Sequence, residues 1–169
     1  MTPAIFFAHV PLYVYAMFVG LMYLGYKCCF PRTMRVERLL LLPAFFAYQS
    51  LSTLLTLFHP GAAGIGLWSH GGACGMLIGY LHVRNQPIRA DHDRRLIAMP
   101  ADRVMPLLIV SIFAFQLFLH YCIEARWPLA KLVAFDRAAQ FILGAIAGMA
   151  SGRNLIRGYM YIKAPSENL

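Results

Sequence analysis

The chain has 169 residues, of which 60% are hydrophobic and 13% charged, with a formal net charge of +8. Soluble domains carry about 25% charged residues, so this composition, with a mean hydropathy of +0.60, excludes an ordinary soluble domain and reads as an integral membrane protein. The positive charge does not indicate nucleic acid, because the basic residues lie in short segments between apolar runs and leave no basic face with interleaved aromatics.

Apolar stretches near the ~20 residues that cross a hydrocarbon core of ~30 Å fall at 4–26, 39–58, 64–83, 104–123 and 132–152. They predict an all-α, polytopic bundle of five transmembrane helices, a single transmembrane domain over 1–169, with cytoplasmic loops at 27–38 and 84–103. The first stretch is not read as a signal peptide. Residues 1–10 hold no Lys or Arg, the apolar run is too long, and no small-residue cleavage site follows.

The second span carries Gln49, Thr53 and Thr56 on one face. The third contains WSHGGACGMLIGY, residues 68–80, in which Gly71, Gly75 and Gly79 repeat every four residues. A helix-interior glycine costs about 1 kcal/mol relative to alanine in water, but in lipid helices associate by close backbone approach, which small residues permit. The fourth span repeats Gln116, His120 and Glu124 at four-residue intervals; the fifth begins with Asp136 and Gln140 and continues into Gly144, Gly148 and Gly152. The two glycine stripes are natural partners, either within one bundle or across a homodimer or larger membrane complex.

Lys27, Arg32, Arg35 and Arg38 follow the first span, Arg84, Arg89, Arg94, Arg95 and Arg103 the third, and Arg153, Arg157 and Lys163 the fifth. Arg126, Lys131 and Arg137 lie on the other side. Basic residues near helix ends stay cytoplasmic, so the N-terminus is expected outside and the C-terminus inside the bacterial cytoplasmic (inner) membrane. Counting the helical rise from the outer boundary puts His120 and Asp136 about 6 Å deep and the three glutamines about 12 to 14 Å deep. The expectation is an outward-side polar cluster of His9, Gln49, His70, Gln116, His120, Glu124, Asp136 and Gln140, facing the bundle interior.

Three readings of this cluster compete. In the first, each histidine bonds a neighbour, with His120 serving Glu124 or Asp136, and the protein is a non-enzymatic accessory or binding component in contact with membrane lipids; no HExxH or CxxCH pattern argues otherwise. In the second, His70 and His120 ligate haem b iron or a transition metal, with Gly71 and Gly75 leaving room for the ring. In the third, His120, Glu124, Asp136 and Arg137 form an ion or proton path, although a carrier needs access from both faces and the inner half lacks broken helices. Ser69 and Ser111 read as helix serines bonded to carbonyls, the four cysteines as free thiols, and Trp68, Trp127, Tyr13, Tyr121, Tyr159 and Tyr161 as interfacial anchors.

The opening VPLYVYAMFVGLMYLGYK, then RTMRVERLLLLPAFFAYQSLS, MPADRVMPLLIVSIF and GAIAGMASGRNLIRG together resemble a family of small bacterial multi-pass membrane proteins, CcdC-like in pattern. Where that pattern has Pro-Gly-Ser before the Pro-Leu of the fourth helix, this chain has Pro100, Ala101 and Asp102 before Pro106 and Leu107. The resemblance implies a polytopic helical fold and carries over no functional residue.

Overall fold

A computed structural model of the chain describes residues 12–125 and 127–167; His9 lies outside them. In chain order the elements are α1 (Leu12–Cys28), β1 (Arg32–Arg35), a 3-10 turn (Val36–Leu39), α2 (Leu41–Thr53) prolonged by a π-helical turn (Leu54–Phe58), α3 (Ala62–Val83), β2 (Arg89–Asp91), β3 (Leu96–Met99), α4 (Val104–Glu124), a second 3-10 turn (Pro128–Lys131) and α5 (Val133–Lys163). Among the described residues, three helical stretches are long and apolar enough to cross a membrane: Val36–Phe58, Val104–Glu124 and Val133–Lys163.

Two expectations are corrected. The fold is mostly helical but not all-α, because the segments read as plain loops at 27–38 and 84–103 contribute a three-stranded antiparallel sheet of order β1-β3-β2. Each strand has only three or four residues, too few for a two-residue alternation to stand out, and the pairing of β1 with β3 joins positions distant in the chain. The fifth helix does not stop at residue 152. It runs for 31 residues to Lys163, about 46 Å at 1.5 Å per residue, because no proline interrupts it before Pro165 and Ile156, Met160 and Tyr161 keep apolar positions in its extension.

The chain forms two compact units. The first holds Met1–Phe30 and Ala101–Phe135, and its core is the packing of α1 on α4. A Cβ on Gly25 would lie 3.1 Å from Pro106 Cα and 3.2 Å from Ile109 Cδ1, so the glycine lets α4 approach closely. Phe18 and Phe113 pack with ring centroids 4.5 Å apart. Buried Asp102 starts α4 by accepting from Val104 N–H at 3.1 Å, which satisfies one of the donors a helix N-terminus leaves open.

The second unit holds Pro31–Pro100 and Asp136–Leu169. Helix α2 ends where His59 adopts the left-handed region, φ 41°, and Pro60 bars continuation. Helix α3 then returns antiparallel. Its buried residues are Gly71, Gly75, Gly79 and Val83, whereas Leu77 is 59% and Ile78 54% exposed. That is the inverse of a soluble helix, in which the large apolar side chains turn inward.

The glycines of α3 meet those of α5. A Cβ on Gly75 would lie 2.7 Å from the carbonyl carbon of Ala145, on Gly79 2.5 Å from Met149 O, on Gly148 2.7 Å from the carbonyl carbon of Gly72, and on Gly152 2.8 Å from Met76 Cα. Gly71 and Gly144 are equally closed, against Phe141 and Trp68 backbone. The partner of each stripe therefore lies in the same chain. Beyond the ladder, one face of the sheet covers the last turns of α5, where Leu39, Ala90, Ile97, Met99 and Tyr161 form a buried cluster. Tyr161 is thus a core residue rather than an interfacial anchor.

Candidate functional site

Two polar groupings lie along α5 within the second unit. The first is where α2, α3 and α5 meet. Trp68 Nε1 donates to Ser50 Oγ at 2.9 Å, and Ser50 Oγ donates to Leu143 O at 2.8 Å, so one hydroxyl ties three helices. Buried Gln140 lies one turn before Leu143, and a Cβ on Gly64 would lie 2.9 Å from its Oε1, so the glycine makes room for the amide. Trp68, read from sequence as an anchor, is a hydrogen-bonding member of this junction. Interhelical bonds of this kind contribute about 0.6 kcal/mol on average in lipid and at most about 1.7.

The other described residues expected in an outward cluster lie in both units. Gln49 is half-buried on α2 and Asp136 half-buried on α5. His70 is exposed, and its Nδ1 lies 2.7 Å from Gly66 O of its own helix. Gln116 and His120 are half-buried and Glu124 exposed on α4, in the first unit. The room that the haem reading assigned to a ring over Gly71 and Gly75 is filled by the α5 backbone at Phe141 and Ala145. Among the described residues no group of three or more His, Cys, Asp or Glu side chains is placed to hold a metal ion.

The second grouping lies at the opposite end of α5, and sequence reasoning missed it. Arg153, Asn154, Arg157 and Asp91 are all buried, although the two arginines count from sequence only as orientation markers. Arg153 passes over Gly79, whose missing side chain leaves room for its stem: a Cβ there would lie 3.1 Å from Arg153 Cγ. Arg157 Nη2 donates to Gln86 Oε1 at 3.1 Å, which ties α5 to the turn after α3. Asn154 Nδ2 donates to Ala150 O at 2.9 Å in its own helix.

Asp91 closes the β2–β3 hairpin: its Oδ1 accepts from Arg94 N–H at 2.9 Å, while Tyr161 Oη donates to its carbonyl at 3.5 Å. The His92 ring packs at a tilt against Tyr161, 4.8 Å between centroids, and its Nε2 lies 2.9 Å from Ala164 O. The tail then adds to the sheet, since Glu167 N–H donates to Ala90 O at 2.7 Å and the Glu167 carboxylate pairs with Arg89. The available signal for this grouping was the spacing: Arg153 and Arg157 lie one turn apart in a segment with no helix stop, where buried arginines need fixed partners.

At this end of the second unit, Arg157 ties α5 to the turn after α3, the Asp91 carboxylate closes the hairpin, and the Arg89–Glu167 pair holds the tail to β2. Comparison with family models, curated proteins and solved structures returns no match.

Proposed function

We propose that this chain is a five-span protein of the bacterial cytoplasmic membrane, with its N-terminus outside and its C-terminus inside. It acts as a non-enzymatic accessory or binding component, and its working surface is the small sheet carried on the last turns of α5. One observation carries the reading: in α3 the glycines are buried while Leu77 and Ile78 are exposed, the arrangement expected where lipid is the solvent. Helix α3, at 22 residues, and α1 join the three apolar stretches named above as spans.

A 46 Å helix exceeds a ~30 Å hydrocarbon core by about 16 Å, so α5 extends past the bilayer on the sheet side. Tyr161 packs that extension against the sheet, and Arg157 fixes it to the turn after α3 through Gln86. The test is cysteine accessibility in a cysteine-free background. Arg94→Cys at the hairpin tip should react with a membrane-impermeant maleimide only in inverted vesicles, and Leu77→Cys should resist it in either orientation. Labelling of Arg94→Cys from outside, or ready labelling of Leu77→Cys, would overturn the proposal.

A further inference from the structure

The three helix ends that meet at the sheet carry a collar of cations. Arg35 and Arg38 stand at the entry to α2, Arg84 follows the last residue of α3, and Lys163 closes α5, all exposed. The ion pairs nearby are Arg89 with Glu167 and Arg95 with Glu37, so Arg35, Arg38 and Arg84 enter none among the described residues. Lys163 lies 4.7 Å over the Tyr159 ring, which leaves its ammonium at the surface. After Arg38 and the buried Leu39 come Leu40 and Leu41, 58% and 67% exposed. Arginine is therefore followed within one turn by bare hydrocarbon-seeking side chains, on a helix apolar enough to enter a bilayer.

We infer that this collar binds the phosphate headgroups of anionic phospholipids in the leaflet on the sheet side. The inference rests on the membrane reading above. Charge complementarity and continuity with the apolar surface select this occupant: a lipid phosphate lies in the plane just above the acyl chains, level with residues 35–41, and guanidinium matches phosphate geometrically. A soluble acidic partner would have to reach the same level through the headgroups. Glu37 does not cancel the collar, because its carboxylate is turned to Arg95 at 3.4 Å.

The experiment reconstitutes the full chain in phosphatidylcholine bilayers and measures, by electron spin resonance, the association of spin-labelled phosphatidylglycerol against spin-labelled phosphatidylcholine. A surface arginine is worth about fivefold in association with an anionic leaflet. The wild type should therefore prefer phosphatidylglycerol by about fivefold or more. The preference should fall towards unity in the Arg35→Gln/Arg38→Gln/Arg84→Gln variant and in 1 M NaCl, and Arg94→Gln should leave it intact. A preference unchanged in the triple variant, or lost with Arg94→Gln instead, overturns the collar. If the triple variant lacks the wild-type helical circular dichroism, Arg38→Gln and Arg84→Gln singly must each lower the preference, and no change in either overturns it. Absence of any immobilised lipid signal around the wild type refutes the membrane reading itself, a result distinct from loss of headgroup preference.

Discussion

Replacing Gly75 by alanine should separate α3 from α5. The added Cβ would lie 2.7 Å from the Ala145 carbonyl carbon and 2.8 Å from its Cα, whereas carbon atoms rest at about 3.5 to 4.0 Å. The helices must therefore part by about 1 Å at that point, and the obstacle is backbone that no rotamer change can move. Overpacking costs about 1 to 3 kcal/mol, and each weak Cα–H···O bond broken as the backbones part costs about 0.5 to 1 kcal/mol. The better helix propensity of alanine returns at most about 1 kcal/mol, so with one such bond lost the clash wins by about 0.5 to 3 kcal/mol. Gly72→Ala is the discriminating control, since its Cβ would meet nothing nearer than Gly144 O at 3.8 Å, and it should be neutral or slightly stabilising. The assay is reversible unfolding in mixed micelles followed by circular dichroism at several protein concentrations. Equal stability of Gly75→Ala and wild type, equal losses for Gly72→Ala and Gly75→Ala, or a loss that depends on protein concentration would refute packing within one chain in this register.

Ser50→Ala removes both bonds of the three-helix junction and should cost about 1 to 2 kcal/mol; in a Trp127→Phe background the Trp68 fluorescence maximum should shift, and an unshifted spectrum would count against the bond to Ser50. Arg157→Met deletes the donor to Gln86 from a buried site and should cost about 2 kcal/mol or more, seen as faster proteolysis between residues 91 and 95 while the membrane-embedded fragments persist. Arg89→Gln should cost under about 1 kcal/mol, because the Arg89 and Glu167 side chains are 64% and 44% exposed; a larger loss would show that the tail depends on this pair. His70→Ala should leave stability within about 0.5 kcal/mol and the visible absorbance and metal content of the purified protein unchanged, since His70 is exposed and bonds within its own helix.

Much of the helical layout is legible in the sequence because lipid imposes a single demand, about twenty apolar residues per crossing, and α2, α4 and most of α5 answer it directly. The four-residue repeats of Gly71 to Gly79 and Gly144 to Gly152 likewise announce close packing, since no other residue lets two backbones touch. They do not say which surface is touched. Whether one stripe meets the other or a second copy depends on α3 running antiparallel to α2 and α5 arriving in the right register, and those are properties of the folded chain.

The polar residues show the sharper limit. Depth along a span can be counted from sequence, but rotation about the helix axis relative to neighbours cannot, so Gln140 is buried while His70, on a neighbouring helix, is exposed. Arg153 and Arg157 look like boundary markers until α3 and the turn after it come to lie against α5, with Gly79 beside Arg153 and Gln86 at Arg157. Local periodicity reports what one segment prefers. Burial of those arginines was decided at long range by Gly79 and Gln86, and that of Tyr161 by the sheet that pairs β1 with β3, contacts that exist only once the chain has come together.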